Sequence, residues 1–213
     1  MQYIIMCGGA YSSWKTPRQL LKIKGEPIVA RTIRLLRENG VTDIAISSND
    51  SRFSNLGVPV LLHYNNYFVK GYNNVTGHWC DCFYPTDKPV CYLMGDVIYS
   101  PKAIRTIVKT WVDDIEFFAS APPFGRDYIK EWAEPFAFKV ANTQHFKSAI
   151  EQTKKLTAMK MFNRAPIAWE LWQVIKGTKL NVIDYTNYTI INDYTCDVDE
   201  IEDLERICKI CGI

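Results

Sequence analysis

Short, almost wholly apolar runs alternate with amphipathic stretches along the whole chain, and this alternation limits the fold more than any other feature. Gln2–Cys7 (QYIIMC), Ile44–Ile46, Val58–Leu62, Val90–Met94 (VCYLM), Ile115–Ala119 and Phe136–Val140 have strand length. Runs with so little polar alternation suit strands covered on both faces, as in a parallel sheet. Between them, apolar residues recur at helical spacing. Ile28, Val29, Ile33 and Leu36 follow Pro27, and Ile104, Ile107 and Val108 follow Ser100-Pro101. Phe146, Ala149 and Ile150 follow Asn142. Ser100 and Asn142 are cap residues, proline suits a first helical position, and Asn39-Gly40 is a stop signal. The alternation predicts an α/β fold, a three-layer α/β/α sandwich around a mixed, mostly parallel sheet.

The carboxyl-terminal third is less regular. Pro166 is expected to open a helix with Ile167, Leu171 and Val174 inward and Trp169 and Trp172 partly so. Leu180–Ile183 and Thr189–Ile191 read as strands, and a last helix begins near Asp199, with Asp199 and Glu202 as a capping box. A chain of 213 residues suits one domain, 1–213, with a subregion at about 120–195.

Composition excludes several classes of function. Lys and Arg number 25 against 23 Asp and Glu, a formal net charge of +2, and the basic residues are scattered. Such a chain is not built to hold nucleic acid mainly by charge. No run approaches the ~20 apolar residues of a membrane span. MQYIIMCGG has no basic region ahead of its apolar run, so it does not read as a signal peptide. The expectation is a cytoplasmic protein without membrane or nucleic-acid partners. There are seven cysteines. Cys80, Cys82, Cys208 and Cys211 could in principle supply a zinc site. The positions of the cysteines in strands and on a helical stripe favour reduced core thiols.

Three features suggest chemistry. Gly8-Gly9 ends the first strand, where ligands sit in open α/β sheets and where bare backbone N–H groups can approach a phosphate. The loop lacks both the dinucleotide fingerprint and the P-loop ending. Lys15, Arg18, Lys22 and Lys24 follow it, enough charge to neutralise a triphosphate, although each alone is ordinary surface. Asp96 follows Gly95 at the end of the most apolar run, where a carboxylate could ligate Mg²⁺ together with substrate phosphates; otherwise it caps a turn. Asp197 and Asp199, again after an expected strand, are the candidates to converge on it. Asn73-Asn74 lies in a polar loop whose amides could read a base edge, or simply turn the chain. Trp132, Glu134 and Pro135 could wall an acceptor pocket, or pack on the surface. Three histidines are too dispersed for a metal site, and no serine has the strand–elbow–helix setting of a hydrolase.

The segment from Cys7 to Ile28, CGGAYSSWKTPRQLLKIKGEPI, resembles the N-terminal signature of nucleotidyltransferases with the glycosyltransferase-A-like, Rossmann-like fold. This group includes sugar-1-phosphate nucleotidylyltransferases, small cytidylyltransferases and molybdenum-cofactor guanylyltransferases. Gly8 and Gly9 match its glycine pair, Pro17 and Leu20-Leu21 its next block, and Gly25 and Pro27 its last. Leu93-Met-Gly-Asp96 is similar to its strand ending in a magnesium-binding Asp. Asp199-Glu-Ile-Glu-Asp-Leu204 is similar to its terminal Asp-Thr-Pro-Glu-Asp-Leu element. Tyr11, Ser13, Arg18 and Glu26 depart from the usual glycine, arginine and two lysines.

The resemblance implies an enzyme of sugar-nucleotide type chemistry, moving a nucleotidyl group from an NTP to a small phosphorylated acceptor and releasing pyrophosphate. It implies Lys15, Arg18 and Asp96 as catalytic residues, and Gly8, Gly9, Ala10, Asn73 and Asn74 as nucleotide-binding. Mg²⁺ would be held by Asp96 with Asp199 or Asp197. Glu134 and Lys139 are the acceptor-side candidates, CTP is the favoured nucleotide, and a homodimer is admitted. Two alternatives stay open: a binding protein that has lost turnover, and a glycosyltransferase using a nucleotide sugar. The latter calls for an Asp-x-Asp at the strand end. Met94 and Ile98 stand two positions either side of Asp96, while Asp197-x-Asp199 has the spacing in another part of the chain.

Overall fold

The computed structural model describes residues 1–8, 16–64, 78–122, 133–199 and 201–211. Strand β1 (Gln2–Met6) leads to a short ribbon, β2 (Lys22–Ile23) and β3 (Glu26–Pro27), and then to helix α1 (Ile28–Glu38). There follow β4 (Ile44–Ser48), β5 (Val60–Leu62), β6 (Val90–Met94), β7 (Val97–Ile98), α2 (Pro101–Lys109), β8 (Ile115–Ala119) and β9 (Pro135–Val140). The chain continues through α3 (Thr143–Ala158), α4 (Ala168–Lys176), β10 (Thr189–Ile190) and β11 (Cys196–Asp197) to α5 (Ile201–Cys211).

The main sheet has seven strands in the order β10-β8-β9-β6-β1-β4-β5. Its pairings are parallel except those of β9, which runs antiparallel to both β6 and β8. This is the mixed, mostly parallel sheet expected. Alternate residues of β1 point to opposite faces. Tyr3 and Ile5 join Ile33, Leu36, Ile104, Ile107, Leu204 and Ile207, so α1, α2 and α5 cover one face. Ile4 and Met6 join Phe117, Phe138, Phe146, Trp169 and Trp172, so α3 and α4 cover the other. On that second face Phe117 stacks on Phe138 at 4.4 Å, and Trp169 meets Phe117 edge-on at 4.9 Å.

Local signals work as physical chemistry requires. The Ser100 Oγ accepts from Ala103 N at 2.8 Å, and the Asn142 Oδ1 accepts from His145 N at 3.0 Å, so each satisfies an N–H with no partner inside its helix. Gly40 takes φ +82°, left-handed, one residue past Asn39, the C-cap of α1. Three expectations need correction. Leu180–Ile183 forms no strand; instead the Gln173 amide donates to the carbonyls of Lys179 and Val182, which holds the segment as an irregular turn. Trp169 and Trp172 are fully, not partly, buried. At the last helix the Asp199 N–H donates to Asp203 Oδ2 at 3.0 Å, one residue beyond Glu202, the residue expected to return that bond.

Candidate active site

The β1–β6 pairing sets the site. Met6 lies opposite Met94, so Cys7-Gly8 and Gly95-Asp96 leave the sheet side by side at the carboxyl ends of central strands. A Cβ on Gly95 would stand 2.2 Å from the Met6 carbonyl oxygen and 2.9 Å from Cys7 Sγ. Only glycine allows that approach, and it brings the following carboxylate over the end of β1.

Asp96 leads into β7, which pairs antiparallel with β11: Val97 lies opposite Asp197, and Val198 N donates to the Asp96 carbonyl at 3.0 Å. Residues 197–199 are thereby placed against residue 96. The ribbon is tied down from behind. Ser100 N donates to Thr195 Oγ1 at 3.0 Å, and Ser100 Oγ donates to Asp193 Oδ2 at 2.6 Å while also capping α2. Arg31, nearly buried on α1, donates to the Tyr194 hydroxyl at 3.1 Å. The Tyr99 hydroxyl donates its proton to the carbonyl of Phe136 at 2.6 Å, with the Met94 carbonyl 3.2 Å away, joining the end of β6 to the start of β9.

Arg18 completes the cluster. It begins a single 3₁₀ turn (Arg18–Leu20) behind Pro17, whose fixed φ suits a helix-entry position. Its Nη1 donates to Asp199 Oδ1 at 2.6 Å and to the Val198 carbonyl at 3.0 Å, and its Nη2 lies 3.2 Å from Asp96 Oδ2. One guanidinium therefore joins carboxylates from two distant segments, Arg18 and Asp199 being 181 positions apart. The group is reachable from solvent: side-chain exposure is 28% for Arg18, 26% for Asp96 and 55% for Asp199. Burial raises the Asp96 carboxyl above its usual range; Arg18 opposes the rise and the Asp199 charge adds to it. For Arg18, burial works downward, but Asp96 and Asp199, with Asp197 behind them, outweigh it and hold the charge.

The structure separates the other expected residues. Gly8 is half-buried at the carboxyl end of the sheet. Gly9, Ala10, Lys15, Asn73 and Asn74 lie outside the described residues, as does Trp132. Glu134 precedes β9 at this same end, since Ala137 pairs with Leu93; its backbone is fixed to Ser120 by bonds of 2.8 and 2.9 Å. Lys139 is elsewhere. It pairs with Cys91 near the amino end of β6, is buried, and its Nζ donates to the carbonyls of Ile107, Val108 and Thr110 at 2.9, 2.9 and 2.7 Å. That ammonium closes the carboxyl end of α2, and we leave it out of the site. A pocket of about 500 Å³ also opens beside α3, lined by His63, Asp81, Tyr84, Lys147 and Lys154. Val90 and Val140 on its wall again mark the amino-end register, away from Asp96.

Sequence reasoning missed the ribbon of β7 and β11 and its fastening by Asp193 and Thr195. Ser100 gave a signal only as a helix cap, and two-residue strands carry no period to read.

Residues 3–164 match the MobA-like NTP transferase domain. The chain belongs to this family. The 4-diphosphocytidyl-2C-methyl-D-erythritol synthase of Anaerococcus prevotii DSM 20548 superposes with a TM-score of 0.59 at 9% identity, covering 100% of this chain and 96% of that one. HddC from Yersinia pseudotuberculosis gives 0.54 at 15% identity, with 99% of each chain covered. The CTP:phosphocholine cytidylyltransferase of Streptococcus pneumoniae gives 0.53 at 14% identity, covering 99% and 98%. At identities this low, the superpositions show the shared glycosyltransferase-A-like fold and no more. None of the curated proteins is a significant match to the sequence. Among the described residues, no group of three or more His, Cys, Asp or Glu is arranged to hold a metal, and no helix is long and apolar enough to cross a membrane.

Proposed function

We propose that this MobA-like NTP transferase moves a nucleotidyl group from an NTP, CTP in preference, to a small phosphorylated acceptor such as a sugar phosphate, phosphocholine or a polyol phosphate. The observation that carries the reading is the convergence of Asp96, Asp199 and Arg18 at the carboxyl end of the sheet, beside Gly8. An acceptor phosphate oxygen attacks the α-phosphorus, a new P–O bond forms, and pyrophosphate leaves in line. Such chemistry asks a protein for positioning and charge neutralisation rather than for a covalent nucleophile.

Gly8, with Gly9, Ala10 and Lys15 of the signature loop, holds the triphosphate through backbone N–H groups and charge, and Arg18 adds a planar fork. Asn73 and Asn74 read the base. Glu134 lines the acceptor side. Asp96 and Asp199, with Asp197 in reserve, offer only carboxylate oxygens, the hard donors that magnesium takes, and one or two carboxylates plus substrate phosphates suffice for it. When bound there, Mg²⁺ supplies charge neutralisation on the phosphoryl oxygens. The same reading expects a cytoplasmic enzyme, without nucleic-acid or membrane partners, acting as a monomer or homodimer.

Pyrophosphate release with each of four NTPs against sugar-1-phosphates, phosphocholine and polyol phosphates tests this. Release with at least one pair, lost on chelation, is expected. Tight NTP binding without release from any pair would turn the assignment toward a binding protein.

A further inference from the structure

We propose that Arg18 is an internal counter-cation, holding the position of the divalent metal between Asp96 and Asp199 until a metal–nucleotide complex displaces it. The inference rests on the nucleotidyltransferase reading above and specifies how that site is kept before substrate arrives. Its basis is the bridging geometry. The two terminal nitrogens of one guanidinium reach different carboxylates, Asp199 Oδ1 at 2.6 Å and Asp96 Oδ2 at 3.2 Å, and the Val198 carbonyl at 3.0 Å fixes the first. These carboxylates are the pair proposed above to hold a metal. Without Arg18, two carboxylates held close together by the β7–β11 ribbon would repel each other. A tethered cation stabilises the empty arrangement and competes with any free one. The planar fork suits this role; a lysine ammonium, a single point of charge on a flexible stem, does not span two partners in the same way.

The same group cannot hold the carboxylates and the triphosphate at once. Metal arriving at Asp96 and Asp199 frees Arg18 for phosphate, and phosphate drawing Arg18 away opens the carboxylates. Each ligand therefore favours the other, by the same factor in both directions.

Manganese binding followed by electron paramagnetic resonance, with no nucleotide present, tests the inference on the intact chain. R18Q should bind Mn²⁺ about tenfold or more tightly than wild type, with R18K between them. Melting curves establish that each variant is folded. Equal affinity in wild type and R18Q overturns the proposal. So does an R18K as weak as wild type, because a charge that does not bridge would then be sufficient. Asp96→Asn separates this failure from that of the underlying reading. If the affinity gained in R18Q survives in R18Q/D96N, the metal does not sit at Asp96 and the nucleotidyltransferase site itself is wrong. If R18Q gains nothing while D96N abolishes nucleotide-supported Mn²⁺ binding, the site stands and only the role of Arg18 is wrong.

Discussion

The two ends of the central sheet hold cations in opposite ways. At the amino end, Lys139 is buried and gives its three protons to three backbone carbonyls at the carboxyl end of α2. At the carboxyl end, Arg18 is partly exposed and bridges two side-chain carboxylates. Backbone carbonyls at a helix terminus cannot move without unwinding the helix, so the lysine has nothing to exchange for. Carboxylates on short connections can accept a different cation, and an arginine reachable from solvent can take a different anion. Where the partners are backbone, the charge is structural; where they are side chains at a strand end, it is available for chemistry.

Breaking either end tests the contrast. Gly95→Ala should have the largest effect, because its Cβ would fall 2.2 Å from the Met6 carbonyl. A loss of about 3 kcal/mol in denaturant unfolding is expected, with β7 displaced. A variant of wild-type stability would mean that the close approach of the two strand ends is not required.

Asp96→Asn keeps the shape of the side chain and should lower pyrophosphate release at least roughly a hundredfold, equivalent to about 2.7 kcal/mol. Its stability should move the other way. Burial raises the folded-state pKa of Asp96 above its unfolded value, so the folded chain holds that proton to higher pH than the unfolded one. The ionised carboxylate therefore costs stability at neutral pH, and that cost disappears once pH falls below the unfolded value. In chelator at pH 7 the variant should melt at or above wild type, and the gap should close in acid. A lower melting temperature at pH 7 would show that pairing with Arg18 outweighs burial.

Lys139→Met should remove about 2 kcal/mol of stability by leaving carbonyls at the carboxyl end of α2 without their donor, while NTP affinity measured by calorimetry stays unchanged. A fall in acceptor affinity at wild-type stability would return Lys139 to the site. The smallest change is expected for Asp199→Asn. Its side chain is 55% exposed, and solvent-screened pairs contribute little, so the stability loss should stay below ~1 kcal/mol. Metal affinity by resonance titration should nevertheless fall; an unchanged value would move the second ligand to Asp197.

The sequence by itself determined the elements whose signals are local. Val90–Met94 is a strand because five consecutive apolar residues suit a position covered on both faces, and it ends as read at Gly95-Asp96. Ser100 and Asn142 cap helices because their side chains reach N–H groups three residues on, and Gly40 stops α1 because it alone accepts φ +82° without strain. Gly8, Arg18, Asp96 and Asp199 could all be named as candidates from such signals. Only the tertiary structure decided how they meet. The strands of the β7–β11 ribbon have two residues each, too short for a period, and pair across a separation of a hundred residues that no local pattern encodes. The antiparallel course of β9 is equally invisible in an apolar run, since direction depends on the connection and not on composition. That course puts Lys139 at the far end of the sheet from Asp96, while the ribbon puts Asp199 within reach of Arg18, because long-range register, and not residue type, fixes which charges share a site.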